Sequence, residues 1–488
     1  LNGKVLTAES ALAPVYRTSP MVTVPAFSYG FVVDRAACVP ACGSSPPCGM
    51  PRGADGEVAA THSDRLHSAQ PVSETAPPEG CIRVTVPSAD YNANSAAIQS
   101  ALDRASKQGS RQGASELGCV VVSGGDYPVL SLEVRSHTRL VVSPQTRLLN
   151  VVNRTRVAVV HVRNARHVVI EGGGTIHGNA EHAWRFWSAR DNRMSPYFDD
   201  GQPLRANCLL VSHSVGVTVR DLHLHNSTDW TFRMDNSSDI HVDNVDIYGD
   251  SRFPNNDGFD PQSCRNVTLT NSRIDVADDG ICPKAQAGWG PLKGLYVHNV
   301  TIRSKSHAIK FGTNTDEGMS DVVFDNITIW DSNGGLSVQQ RTGGDVTNVT
   351  WSNIQIETRY QAPRWWGNGE WLSFTNNPRG NNHTIGKVAG MRFVNISGRS
   401  ENGGILSGLS GGAHDIHFEN VHITIATWSN YSNGSGPVCY ADARVCSNDT
   451  GSSSPSPPQT RCAATPFGAT YSPGATLPHC MGSRDYRP

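Results

Sequence analysis

Apolar and polar residues alternate along most of this chain in short bursts that recur at a nearly fixed interval. "GVTVRDLHL" at Gly216 is followed by "DIHVDNVDI" at Asp239, "NVTLTNSRI" at Asn266, "GLYVHNVTI" at Gly294, "DVVFDNITI" at Asp321, "NVTWSNIQI" at Asn348 and "DIHFENVHI" at Asp415. The first six start 23, 27, 28, 27 and 27 residues apart. Alternation with a period of two sends side chains to opposite faces of a strand, and the small polar residue that interrupts each burst marks a tight corner between two short strands. A repeat in the twenties, made of strands without intervening helices, predicts a β-solenoid whose stacked coils share one continuous core. A barrel or sandwich also supplies short strands but does not require a fixed period.

The corner residue is Asn at positions 244, 271, 299, 326, 353 and 420. Stacked coil upon coil, such amides can hydrogen-bond along the solenoid. This bears on the twelve Asn-x-Ser/Thr sequons, which begin at Asn153, Asn226, Asn236, Asn266, Asn299, Asn326, Asn348, Asn382, Asn395, Asn430, Asn433 and Asn448. Asn299 and Asn326 read at least as well as internal amides. The rest, among them Asn153, Asn226, Asn236, Asn382, Asn395, Asn430, Asn433 and Asn448, are expected to carry N-linked glycans.

One segment has a helical period instead. "NSAAIQSALDRASKQG", Asn94 to Gly109, sets Ala97, Ile98, Ala101 and Leu102 on one face, just before the first strand-like runs "CVVVSG" and "RLVVSP". A helix there caps an open coil end that otherwise exposes unpaired backbone. The chain therefore divides into residues 1–80, β-like alternation ("MVTVPAFSYGFVV") followed by a Ser/Ala/Pro-rich linker; residues 81–430, the all-β solenoid; and residues 431–488, a Cys/Pro/Ser-rich tail with too few apolar residues to fold alone.

Composition narrows the class. Over 488 residues the net charge is −2, and no run of Lys and Arg suggests a nucleic-acid or anionic-membrane partner. No window of about 18 apolar residues exists to span a bilayer. Twelve cysteines include no CxxC pair with a matching second pair, so zinc binding by cysteine is not expected. Cys38, Cys42 and Cys48 crowd one end and Cys439, Cys446, Cys462 and Cys480 the other, which reads as disulfide stapling in an oxidising compartment. The chain begins at Leu1 without a basic-then-apolar leader, which fits a processed mature protein. Secretion to an extracellular or cell-wall setting is expected.

The candidate chemistry starts with "FPNNDGFDPQSC". By itself this stretch places Asp257 and Asp260 in ordinary turn chemistry. "VADDGICPK" adds Asp278 and Asp279 about one repeat later, and His307 and Arg341 follow on the next two. Because successive coils lie about 4.8 Å apart, these side chains converge on one patch of the solenoid wall, expected as an open groove. Clustered carboxylates with an imidazole suit glycoside hydrolysis, in which one acid protonates the leaving oxygen and another carboxylate activates water. Solenoids also stack Asp in corners for structural reasons, so the cluster alone is suggestive.

Several segments together carry a resemblance. The chain resembles the polygalacturonase-like glycoside hydrolases (family 28) from about Cys81 to Ala426. "NSAAIQSALDRA" is similar to that family's capping helix, "GGGTIHGNAEHAW" and "NSTDWTFRM" to two of its strand segments, "NNDGFDP" to its NTDG signature, "ADDGICPK" to its DD signature and "SHAIKFGT" to its GHG signature. The resemblance implies a right-handed single-stranded parallel β-helix that hydrolyses a pectic or other acidic polysaccharide with inversion and needs no metal or other cofactor. Carried over by position, Asp278 is the general acid, Asp257 and Asp279 hold and deprotonate the attacking water, His307 tunes the acid or binds sugar, and Asn255 orients Asp257.

The departures concern substrate binding. The family's Arg-x-Lys motif reads "QQR", with Gln339 and Arg341 at its ends, and Lys310 adds a cation beside His307. Trp365, Trp366 and Trp371 suit either stacking on sugar faces or burial between coils. A calcium-dependent lyase on the same architecture needs an Arg base beside an acidic calcium cluster, which the sequence does not display. The alternative from another class is a secreted glycoprotein that has lost turnover, serving as a structural or carbohydrate-binding β-helix tied into a matrix or self-assembly through its Cys-rich ends.

Overall fold

The structure, a computed structural model, describes residues 80–112, 116–152, 157–182, 187–188, 193–194, 205–251, 253–361, 367, 369–376, 385–401, 403–408, 413–425 and 470–471. Apart from Gly80 and Thr470–Tyr471, both terminal extensions with their cysteine clusters lie outside these residues, as do Trp365, Trp366 and the sequons at Asn153, Asn382, Asn430, Asn433 and Asn448.

Eleven parallel strands, from Gly118–Val122 to Ala413–Ile425, neighbour one another in strict chain order within one sheet. A second wall is formed by strands such as Phe232–Asp235 and Phe259–Gln262, and by the run His307–Phe311, Gly334–Gln340, Leu372–Asn376 and Ile405–Gly408. Single bridges from Phe259 to Ile281 and from Ile281 to Ile309 join those two groups. The fold is a parallel β-helix, one coil per sequence repeat.

Register follows the apolar pattern. Ile240, Val267, Leu295, Val322, Val349, Met391 and Ile416 pair in turn down the sheet, and all are buried. Another column stacks aromatic rings: Phe324 on Trp351 at 4.6 Å, Trp351 on Phe393 at 5.9 Å and Phe393 on Phe418 at 4.7 Å. A slip of one residue would turn each inward ring to the outside, so this burial fixes the register.

The corners are left-handed. Asn244, Asn271, Asn299, Asn326, Asn353 and Asn420 all have φ between 50° and 56°, a region that Asn tolerates better than most residues. The expected amide ladder forms in short runs: Asn299 Nδ2 donates to Asn271 Oδ1 at 2.7 Å and Asn326 Nδ2 to Asn299 Oδ1 at 3.3 Å, whereas Asn244, Asn271 and Asn353 donate to Asp221, Asp243 and Asp325. Asn395 belongs to the same arrangement, donating to Asn353 at 3.2 Å and accepting from Asn420 at 2.9 Å. Its amide nitrogen, the atom a glycan would occupy, is thus engaged as in Asn299, although the sequence grouped it with the glycan candidates. Asn236 is exposed.

The capping helix runs Tyr91–Gln112, starting three residues before the expected Asn94. Asp90 precedes it, and its Oδ1 accepts the Asn92 N–H at 2.9 Å. Ile98, Ala101, Leu102 and Ala105 are buried against the first coils, whereas Ala97 is exposed. At 100° per residue Ala97 lies off the stripe formed by 94, 98, 101 and 105, and the buried Asn94 takes its place by bonding to Ser88 and Pro128. A Cys81–Cys119 disulfide ties the first strand to the second. Cys208, Cys264 and Cys282 are free and buried.

Candidate active site

Three sequence motifs occupy the same corner of three successive coils. Gly258 N–H donates to Asp279 O, and Gly280 N–H to His307 O, each at 2.9 Å, so Asp257, Asp279 and His307 stack in register with Asp278 one residue upstream. The glycine after each acid is required by this stacking. A Cβ on Gly258 would meet Gly280 O at 2.5 Å, and one on Gly280 would meet Ala308 O at 2.5 Å. Just past this corner Phe259, Ile281 and Ile309 point into the apolar core, while Asp260 and Lys310 point out of it.

Asp278 and Asp279 are adjacent yet differently furnished. Asp279 Oδ1 accepts Ser306 Oγ–H at 2.7 Å, and Oδ2 accepts Lys310 Nζ at 2.5 Å. Burial by itself would raise this acid, but the Lys310 charge, helped by His307 and Ser306, holds it down at about 2. Asp278 feels the Lys310 charge more weakly and bonds to no lysine among the described residues; among these its oxygens accept main-chain N–H groups, from Asn255 to Oδ2 and from Asp279 to Oδ1, both at 3.0 Å. Burial, reinforced by the neighbouring Asp279, pushes it above the usual carboxylate range. The two adjacent acids are therefore pushed in opposite directions, Asp279 down and Asp278 up.

Asp257 completes the cluster. Its Oδ2 lies 3.4 Å from Lys284 Nζ, while Oδ1 accepts no hydrogen bond among the described residues. Burial, then the charges of Asp260 and Asp278, raise its pKa well above the ordinary value. Lys284 also pairs with Asp260, which burial pushes up to about 7 despite that partner. The ammonium stands 4.2 Å over the Trp230 ring, so the aromatic face supplies part of what water would. Oxygens of Asp257 and Asp279 and the thiol of Cys282 all lie within 4.8 Å of one another.

His307 is wedged between two carboxylates. Its Nε2 is 3.2 Å from Glu370 Oε1, and its Nδ1 is 3.9 Å from Asp279 Oδ1. Gly334 leaves the space for the ring, since a Cβ there would meet His307 Cδ2 at 2.4 Å.

The expected groove is tightly closed at these residues. Asp257, Asp278 and His307 are only 4%, 2% and 0% exposed, although none belongs to the apolar core. The role expected for Asn255 also changes: its N–H donates to Asp278, and it is Asn256 whose Oδ1 accepts from Ala277 and Asp278 N–H at 2.9 and 3.1 Å, fixing the coil that bears the acids. Lys310 is part of the cluster. Gln339 is not hydrogen-bonded to it among the described residues; the strand register sets Ser337, two residues earlier, opposite Lys310. Arg341 starts the following loop, its N–H donating to Thr315 Oγ1 at 3.2 Å. Trp371 is buried 6.3 Å from Phe418, which decides its case for core packing.

Sequence reasoning missed Glu370, Asn256, Lys284, Ser306 and Ser304, whose hydroxyl donates to Asp278 O at 2.6 Å. Lys284 closes the quoted "ADDGICPK", so its place beside the acids was within reach; Glu370, 63 residues from His307, carries no local signal.

The family model for glycosyl hydrolases family 28 matches residues 123–437. The chain belongs to that family. This family 28 chain is 26% identical over 284 residues to a probable exopolygalacturonase B of Aspergillus flavus, covering 53% of this chain and 62% of that one. It is 26% identical over 318 residues to a probable polygalacturonase of Vitis vinifera, covering 58% and 61%. The match thus spans less than two thirds of either relative. Among solved structures, the polygalacturonase from Erwinia carotovora ssp. carotovora superposes with a TM-score of 0.58 at 18% identity, over 73% of this chain and 96% of that chain. That likeness shows the shared β-helix.

Proposed function

We propose that this family 28 chain is a secreted glycoside hydrolase that cleaves a pectic or other acidic polysaccharide with inversion. The observation that carries the reading is the split between adjacent acids: burial pushes Asp278 above the usual carboxylate range, whereas the Lys310 charge holds Asp279 below it. Inversion needs both species at once, an acid to protonate the departing glycosidic oxygen and a base to take a proton from water on the opposite face of the ring. Asp278 is assigned as the acid. Asp279 is the base, and Asp257, whose oxygen lies within 4.8 Å of it and whose Oδ1 accepts no hydrogen bond, shares the water. His307, braced by Glu370, touches this base and positions it or the sugar.

The test is incubation of the purified protein with pectic polymers, following reducing ends and the anomer first formed by proton NMR. Release of the inverted anomer is expected, and the retained anomer would refute the water-activating pair. The near-complete burial of the cluster favours a second reading, glycan binding without turnover. Polymer binding without new reducing ends would select it.

A further inference from the structure

On the first sheet, away from the acid cluster, "LHLHN" alternates two histidines with core leucines. Leu222 and Leu224 face inward, so His223 and His225 project from the outer face. On the next coil Asp246 pairs in register with His223. His225 Nε2 lies 2.9 Å and His223 Nδ1 3.3 Å from the same atom, Asp246 Oδ2, and the three ligand atoms are all within 4.8 Å of one another. The side chains are 27%, 30% and 20% exposed, sunk in the wall but open to solvent.

We propose that His223, His225 and Asp246 form a binding site for one divalent transition-metal ion of the zinc class. Two imidazole nitrogens and one carboxylate oxygen are a donor set used by zinc sites that keep a fourth position open. With metal–ligand bonds of about 2.0–2.2 Å, the edges of a tetrahedron are about 3.3–3.6 Å. The separations from Asp246 Oδ2, 2.9 Å to His225 and 3.3 Å to His223, would lengthen by up to about 0.7 Å and 0.3 Å to match. The ligands stand on paired strands, which hold their spacing better than loops would.

The surroundings orient the donors. Arg273 Nη1, on the following coil, lies 3.8 Å from Asp246 Oδ1, leaving Oδ2 to the imidazoles, and it also pairs with Asp275. The His225 ring is flanked edge-on by Tyr248 at 5.7 Å and His177 at 6.5 Å. His177 is engaged elsewhere, its Nδ1 accepting the Asn179 N–H and its Nε2 lying 3.8 Å from Glu181. Such outer partners fix ring orientation and ligand basicity. The nitrogens that meet Oδ2 must present lone pairs to an ion, so protons compete and affinity falls as pH drops. His223 and His225 stand on one coil and Asp246 on the next, so the ion would join two coils.

The chelator-treated full chain is titrated with zinc chloride by calorimetry and with cobalt(II) by visible absorption. Expected are one ion per chain at a micromolar Kd, a tetrahedral cobalt band, and a melting temperature that rises with zinc. His225→Ala and the nearly isosteric Asp246→Asn should each weaken binding by about 10–100-fold and abolish the zinc-dependent rise. The chain has 18 histidines, so the comparison with variants is decisive. Equal affinity and stoichiometry in the wild type and a folded His223→Ala/Asp246→Asn variant overturns the proposal, and so does a wild type that binds no ion.

Discussion

Lys310 Nζ meets Asp279 Oδ2 at 2.5 Å, with both side chains almost sealed from water. Removing one partner of a buried pair strands the other charge, at a cost of about 3–5 kcal/mol. Lys310→Met should therefore lower the melting temperature markedly. It should also release Asp279 from its depressed pKa of about 2. With the native value below the unfolded 3.8, this acid contributes stability above about pH 4 that is lost as pH falls toward 2. Lys310→Met removes that contribution and moves the acid limb of the pH–rate profile upward. An acid limb unchanged in Lys310→Met would detach Asp279 from the role of base.

Asp278→Asn should cost less stability than Lys310→Met, because it removes no partner from a buried ion pair. An amide matches the carboxyl in shape but offers one oxygen where Asp278 accepts main-chain N–H groups on both, so a modest fall in melting temperature is expected. Turnover should fall by about 10²–10⁴-fold, because an amide cannot deliver the proton. Near-normal hydrolysis of a substrate with a poor leaving group would remove Asp278 from the role of acid.

Gly334→Ala tests the seat of His307. The new Cβ would sit 2.4 Å from Cδ2 and 2.9 Å from Nε2, the atom facing Glu370. Overpacking of this kind costs about 1–3 kcal/mol. Turnover should fall with stability, and adding His307→Ala should restore the melting temperature but not the rate. A double variant as unstable as Gly334→Ala would mean that the clash lies elsewhere.

The parts of this molecule that sequence conveys best are those imposed on each coil separately. Alternation fixes which side chains enter the core, and the corner Asn marks a left-handed backbone, so Asn299 and Asn326 were readable as ladder members. The Asp257, Asp279 and His307 stack was readable because the same corner recurs in three motifs. Contacts created by stacking over unequal coil lengths were not. Glu370 follows a longer excursion, and the residue that faces Lys310 on the next coil, Ser337, emerges only from register. Asn395 was grouped with the glycan candidates because its sequon is as good as any other, and only the ladder reveals that its amide nitrogen is engaged.

Glycan mapping separates those cases. After expression in a yeast host, sugar is expected on the exposed Asn236, and none on Asn299, Asn326 or Asn395, whose amide nitrogens donate within the ladder. Full occupancy at Asn299 would show that the ladder is not closed when the chain meets the transferase.

Substrate preference follows from how the cations are already committed. A uronate carboxylate beside the scissile bond is best held by a bidentate guanidinium, whose charge and fork both match. In this cluster Lys310 serves Asp279, Lys284 serves Asp260 and Asp257, and the outward positions beyond Lys310 are Ser337 and Gln339. A charge-assisted hydrogen bond contributes about 1.5–3 kcal/mol, against about 0.5–1.5 for a neutral one. The difference, about 1.4 kcal/mol, corresponds to roughly tenfold in rate for a substrate that places a carboxylate there. A substrate with a neutral sugar at that subsite, such as a branched or mixed pectic polymer, should therefore be hydrolysed faster than plain polygalacturonate. Rates on polygalacturonate, rhamnogalacturonan and neutral-sugar glycans at matched concentration measure this. A clear preference for polygalacturonate would assign the carboxylate to Arg341, and Arg341→Gln should then lower kcat/KM on that polymer by about tenfold while sparing neutral glycans.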